Sequence, residues 1–203
     1  MLTLFHAAWS RSSRIVWLLE ELEADYEIRH VDIYRAMSLS GARDPANPHP
    51  DGKVPALMHD GALITESAAI ALYLTDLYPE AGLGAPVGSK DRGTYLTWLA
   101  WTAGEMEPAV WGKITGAVET DPNIRKRYDD AVARLLNALA QGPYLMGDRF
   151  TAVDVMIGAT LAWGREHLPE SAVIDAYMER VSNRPAGARA QAKDGTPPNV
   201  AAA

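Results

Sequence analysis

No cysteine occurs among the 203 residues. That absence excludes disulfides, thiolate metal sites and any nucleophile made from a protein thiol. Long apolar runs are missing too. No stretch reaches the roughly 18 consecutive apolar residues that a membrane-spanning helix needs. The opening MLTLFHAAWSR lacks a basic leader region and its apolar run is soon cut by charge, so no signal peptide is expected and cytoplasmic residence is the default. Positive charge is also scarce, with 19 Lys and Arg against 26 Asp and Glu and a net charge of −7. Such a balance speaks against a nucleic-acid surface, while leaving room for a local basic pocket that takes a small anion.

What is present is an ordinary globular composition, 48% hydrophobic and 22% charged, enough for one large domain or two small ones. Residues 1–78 alternate short apolar strands with helical patterns. LTLFHA (Leu2–Ala7) reads as a first strand, and Ile15, Leu18, Leu19 and Leu22 then trace one helix face. YEIRHVDI (Tyr26–Ile33) alternates like a second strand. SGARDPANPHPDG carries too many breakers to be regular throughout. VPALMHD and ALIT flank Gly61 as a hairpin, and ESAAIALYLTDLYP has helical spacing. The order is β-α-β-(loop or α)-β-β-α. Residues 79–90, rich in Gly, Pro and Ala, read as a linker. Beyond them the strand signal vanishes, and residues 91–203 read as an all-helical domain with a frayed tail from Asp194.

Three stretches of the first region carry chemistry. In Trp9-Ser10-Arg11-Ser12-Ser13-Arg14, serines and arginines crowd the start of a helix, whose free N–H groups and dipole attract anions. The plainer reading is that one serine caps that helix. In GKVPAL, Pro55 opens a strand; were the Val54–Pro55 bond cis, Val54 would turn its backbone outward to pair with a peptide-like ligand. In ITESAAI, Glu66-Ser67 stands where a helix begins, suited either to capping or to gripping a ligand carboxylate.

Taken together, SRSSRIVWLLEEL, KVPAL and ESAAIALYL match in order and spacing the first helix, cis-proline segment and γ-glutamyl-binding turn of cytosolic glutathione transferases. The chain resembles the serine-type, bacterial-like members of that family. FTAVDVMIGATL resembles the family's capping box, with Thr151 as the structural N-cap and Asp154 at its third helical position. The resemblance implies an α/β thioredoxin-like N-terminal domain followed by an all-α C-terminal domain, glutathione as co-substrate, no metal, and a homodimer. Within it the cysteine type is impossible here, and the tyrosine type is disfavoured because the first tyrosine is Tyr26. Ser10 is then the first choice to face the glutathione sulfur, with Ser12 and Ser13 as alternatives. Arg11 adds positive field. Glu66 and Ser67 would take the γ-glutamyl end and Val54 and Pro55 the cysteinyl backbone. Lys53, with His49, would face the glycine carboxylate.

The resemblance also places the electrophile beside the helices that open the second domain. There Trp98, Trp101, Thr102 and Glu105 share one helical face, with Trp9, Trp111 and Trp163 as further candidates; such a stripe is equally a packing face. A free thiol of pKa about 8.5 is only about 3% ionised at pH 7, and lowering that pKa by ~2 units requires about 2.7 kcal/mol of preference for the thiolate. A helix N-terminus and a hydroxyl donor supply an effect of this kind. The expected activity is thus addition of the glutathione thiolate to a small hydrophobic electrophile, as in detoxification. A glutathione-dependent isomerase or reductase, or a non-catalytic scaffold on a transferase fold, is the alternative.

Overall fold

The computed structural model describes residues 1–196. Contacts divide the chain into two compact units, Met1–Leu74 with the segment from Pro185, and Thr75–Arg184.

In the first unit β1 (Leu2–His6) is the buried centre of a four-stranded sheet ordered β2-β1-β3-β4. Its residues are apolar on both faces apart from Thr3 and His6, as a strand covered on both sides requires. β2 (Tyr26–His30) runs parallel to it, while β3 (Ala56–His59) and β4 (Ala62–Thr65) are antiparallel. Helix α1 (Ser13–Glu21) makes the crossover from β1 to β2, burying Ile15, Val16, Leu18 and Leu19. Helix α2 (Ser67–Leu77) follows β4, and the division between the units falls within it. The segment between β2 and β3 forms no helix, which resolves the open choice there in favour of loop.

Register decides where the loops meet. Phe5 of β1 pairs with Ala56, the first residue of β3, and Ala56 pairs with Thr65, the last of β4. The turn after β1, the approach to β3 and the turn after β4 therefore share one end of the sheet.

A last helix, α9 (Pro185–Asp194), packs against α1 in this same unit. The sequence reading placed these residues in the helical domain and expected fraying from Asp194. Instead Ala186, Ala190 and Asp194, spaced by four, form a buried stripe. Glu20 of α1 accepts hydrogen bonds from Arg189, Lys193 and Tyr26. The rest of the expected tail, residues 197–203, lies outside the described residues.

The second unit is helical: α3 (Arg92–Trp101), α4 (Glu107–Ile114), α5 (Ala117–Thr120), α6 (Pro122–Leu139), α7 (Ala152–Gly164) and α8 (Ala172–Ser182). α7 is its centre, with apolar or small residues on nearly every face and burial along most of its length. Gly164 lets α4 approach, since a Cβ there would stand 2.4 Å from a Val110 methyl. At its start the capping box forms. The Asp154 carboxylate accepts the Thr151 N–H (2.9 Å), the Leu145 N–H (3.0 Å) and the Tyr177 hydroxyl (3.0 Å). Residues 79–90 are not a free linker: Leu83 and Ala85 are buried, and the Leu83 carbonyl accepts the Ala152 N–H. Among the described residues no helix is long and apolar enough to cross a membrane.

Candidate functional site

At the shared end of the sheet the chain leaves β1 through a strained corner. Trp9 has a left-handed backbone (φ 56°) although it is a bulky residue, and it is 62% exposed. That conformation persists because its surroundings hold it. The Trp9 N–H donates to Asp194 Oδ2 (3.0 Å), while Arg35 donates to the carbonyls of Ala8 (2.8 Å) and Trp9 (3.3 Å).

The three serines divide their work. Ser12 precedes α1 but does not cap it with its side chain. Its hydroxyl, fully buried, turns inward to His6 Nδ1 (2.7 Å). A buried hydroxyl committed in this way cannot also meet a sulfur, so Ser12 drops out as a direct thiol partner. Ser10 is half-buried; its Oγ lies 2.8 Å from Ser12 Oγ, accepts the Ser12 N–H and donates to the Ala7 carbonyl. Ser13, also half-buried, accepts the Ser10 N–H. Arg11 is exposed and Arg14 buried. No acidic residue stands in the first turn of α1 to offset its dipole.

Before β3, the Val54–Pro55 peptide is cis. Val54 is buried in an apolar cluster with Phe5, Ala7, Val31 and Ala56. His49 is not the solvated loop residue that a proline-rich segment suggests. It is 3% exposed, its Nδ1 accepts the Asp51 N–H and its carbonyl accepts the Gly52 N–H, so it organises the turn ahead of Val54. Lys53 projects into solvent beside Asp51 (3.5 Å).

After β4, Glu66 also adopts a left-handed backbone (φ 68°) and is exposed. Ser67 opens α2, and its buried hydroxyl has no hydrogen-bond partner. Capping, the plainer reading of Glu66-Ser67, is therefore not what this hydroxyl does. An unpaired buried polar atom is costly and points to a missing partner. The first turn of α2 holds no acid, so its free N–H groups and the Ser67 hydroxyl together suit a carboxylate.

The tryptophan stripe in the helical unit turns out to pack. Trp98 and Trp101 are 8% and 6% exposed, meet edge to face at 5.1 Å, and are both covered by the Arg134 guanidinium at 4.9 Å. The buried Thr102 hydroxyl donates back to the Trp98 carbonyl. Glu105 leaves this face altogether. A π-helical turn over Thr102–Met106 inserts a residue into the helical repeat, shifting its phase, and Glu105 pairs with Arg127 in solvent. Trp111 and Trp163 stack at 6.2 Å and are each more than one-third exposed.

Sequence reasoning missed His6 and Asp194. His6 is fully buried, its Nε2 2.9 Å from the Asp194 carbonyl and 3.4 Å from Asp194 Oδ1. Burial lowers its pKa, and the electrostatic influence of His30 and Arg35 acts the same way, against the pull of Asp194. A histidine ending an otherwise apolar buried strand was the available signal, because such a group must find partners.

A cis-proline before an antiparallel strand, on a mixed four-stranded thioredoxin-like sheet followed by a helical second unit, defines the class of fold. Family models agree: residues 1–76 match the glutathione S-transferase N-terminal domain and residues 94–164 its C-terminal domain. Glutathione S-transferase GstA of Escherichia coli O157:H7 is 31% identical over 82% of this chain and 86% of its own length. The chain belongs to the glutathione S-transferase family. Disulfide-bond oxidoreductase YfcG of E. coli K12 is 27% identical, over 95% of each chain. Among solved structures, a glutathione transferase from Methylococcus capsulatus superposes with a TM-score of 0.80 at 29% identity, covering 96% of this chain and 98% of that one. A sphingomonad glutathione S-transferase in complex with glutathione gives 0.78 at 27%, covering 95% and 98%.

Proposed function

We propose that the protein is a serine-type glutathione transferase that ionises the thiol of glutathione and adds it to a small hydrophobic electrophile. The observation that carries this reading is the orphaned Ser67 hydroxyl at the sheet end that also holds the serine corner and cis-Pro55. A transferase fold kept only as a scaffold has no use for that arrangement. The γ-glutamyl carboxylate sits on Ser67 and the first turn of α2, with Glu66 facing the ammonium. The Val54 backbone pairs with the cysteinyl residue, and Lys53 meets the glycine carboxylate. Ser10, beside the start of α1, faces the sulfur, with Arg11 adding positive field. Catalysis consists of positioning and thiolate stabilisation. The same reading carries the expectation of cytoplasmic residence and of a homodimer, the latter checked by light scattering of the purified protein.

Calorimetric titration with reduced glutathione at neutral pH tests the site. Saturable binding is expected, weakened roughly tenfold or more by Ser67→Ala, since a hydrogen bond to a charged group contributes about 1.5–3 kcal/mol. No heat of binding at millimolar glutathione would refute the reading and leave the scaffold alternative.

Reduction of disulfides is a second reading, favoured by the likeness to YfcG. Lacking cysteine, this chain would have to supply both thiols as glutathione. A rate second order in glutathione would distinguish that activity from transfer.

A further inference from the structure

The serine corner continues inward as an unbroken chain of short contacts: Ser10 Oγ to Ser12 Oγ at 2.8 Å, Ser12 Oγ to His6 Nδ1 at 2.7 Å, and His6 Nε2 to the Asp194 carbonyl at 2.9 Å. Its direction follows from donor chemistry. A carbonyl can only accept, so the neutral ring carries its proton on Nε2 and leaves Nδ1 as an acceptor. The Ser12 hydroxyl then donates to Nδ1, and Ser12 Oγ, which also accepts the Ala7 N–H (3.2 Å), keeps one lone pair to accept from Ser10. With its proton turned inward between the Ala7 carbonyl (2.7 Å) and Ser12 Oγ (2.8 Å), and one lone pair taken by the Ser12 N–H, Ser10 Oγ keeps a single lone pair for a ligand. A group bound there must donate, and a thiol does.

We propose that Ser10, Ser12 and His6 form a proton relay through which the bound glutathione thiol is ionised, with buried His6 as its terminal acceptor and Asp194 as the residue that fixes the tautomer. The inference rests on the glutathione reading of the site. In the step, the S–H proton moves to Ser10 Oγ as the Ser10 proton moves to Ser12 Oγ and the Ser12 proton to His6 Nδ1. No electrons are exchanged with any other species. The products are a thiolate and an imidazolium, with both hydroxyls still neutral.

The relay reverses direction as it runs. Afterwards Ser10 O–H points outward and donates to the thiolate it has just created. That resolves an apparent conflict, since the free protein spends this proton on Ala7 or Ser12. Once the thiolate has reacted, the imidazolium returns its proton along the same path to product or solvent.

One neighbour of His6 is placed to support a transient charge. Asp194 Oδ1 is buried without a hydrogen-bond partner and lies 3.4 Å from Nε2, placed to stabilise an imidazolium when one forms. His30 of β2, edge-on at 5.4 Å, and Arg35 oppose that charge. Burial, with these two groups, outweighs Asp194 and favours the neutral ring at rest, so the imidazolium is a short-lived carrier of the proton.

The experiment follows the ultraviolet absorbance of bound thiolate against pH, with affinity measured in parallel by calorimetry. His6→Asn keeps an acceptor for the Ser12 hydroxyl but cannot take up the proton, and Ser12→Ala breaks the chain with one small change. Each is expected to raise the apparent pKa of bound glutathione by about one unit or more while leaving affinity unchanged at acidic pH, where the bound thiol is protonated in every variant. An unaltered pKa in either variant would overturn the relay. Loss of affinity in both at acidic pH would overturn it as well, showing that these groups only shape the corner. Should His6→Asn fail to fold, Ser12→Ala decides alone. If the unaltered protein itself binds no glutathione, the glutathione reading fails instead, an outcome that the calorimetric arm reveals separately.

Discussion

A buried hydroxyl without a partner costs a fold roughly 1–3 kcal/mol, and Ser67 carries one. Replacing it with alanine removes the unpaired group and keeps nearly the same volume. Ser67→Ala is therefore expected to leave the melting temperature unchanged or raise it by a few degrees, at about 2–4 °C per kcal/mol for a chain of this size. The same change should weaken glutathione binding. A structural role predicts the opposite pattern, so a melting temperature that falls together with affinity would contradict the assignment.

Residues of this kind differ in how legible they were. Ser10, Pro55, Glu66 and Ser67 stood out as candidates because each stands at a change of local grammar, where a strand meets a helix or a loop. His6 and Asp194 could not be paired, because 188 residues separate them and neither periodicity nor turn chemistry links such positions. Nor does sequence reveal that Trp9 and Glu66 take left-handed backbones. Their residue types resist that conformation, and only tertiary contacts impose it.

Among elements, α9 depends on one carboxylate. Burial alone would push the Glu20 pKa up, yet hydrogen bonds from Lys193, Tyr26 and Arg189 outweigh it and hold the group below the usual glutamate range. An acid whose pKa is depressed by folding contributes stability above its unfolded value, about 4.3, and loses that contribution as pH falls through the lower folded value. Glu20→Gln should therefore cost about 1–2 kcal/mol at neutral pH, moderated by the half-exposed Arg189 and Lys193. Thermal melts of both proteins across pH 7 to 3 check this: the gap should close below about pH 4. A gap that persists in acid would mean that shape, rather than charge, ties α9 to α1.

The helix itself was hard to see because it has no large apolar face. Its stripe is Ala186, Ala190 and Asp194, small residues that give little periodic hydrophobicity while allowing close approach to α1. The π-helical turn at Thr102–Met106 was hidden for a different reason. Spacing arguments assume an unbroken 3.6-residue repeat, so one inserted residue detached Glu105 from the face it was expected to share with Trp98 and Trp101.

For the molecule as a whole, the consequential finding is that the first unit is discontinuous, closed by residues that follow the entire helical unit in sequence. The alternation of strands and helices up to residue 78 made the thioredoxin-like sheet readable, and the loss of strand signal after residue 91 made the helical unit readable. Composition alone could not say which unit owns the last helix, since contact rather than chain order defines a compact body. Ligand binding should expose that ownership. A ligand that binds only the folded state adds about 2.7 kcal/mol at one hundred times its Kd. Every proposed glutathione contact lies in the first unit, and the opening of that unit breaks the hydrogen bonds from Asp194 to His6 and Trp9 together with those from α9 to Glu20. Saturating glutathione should therefore slow amide exchange in Pro185–Asp194 along with the sheet and α1, with a smaller effect in α6 and α8. Protection confined to residues before Leu74 would mean that α9 opens independently, and would remove Asp194 from any account of how the thiol is ionised.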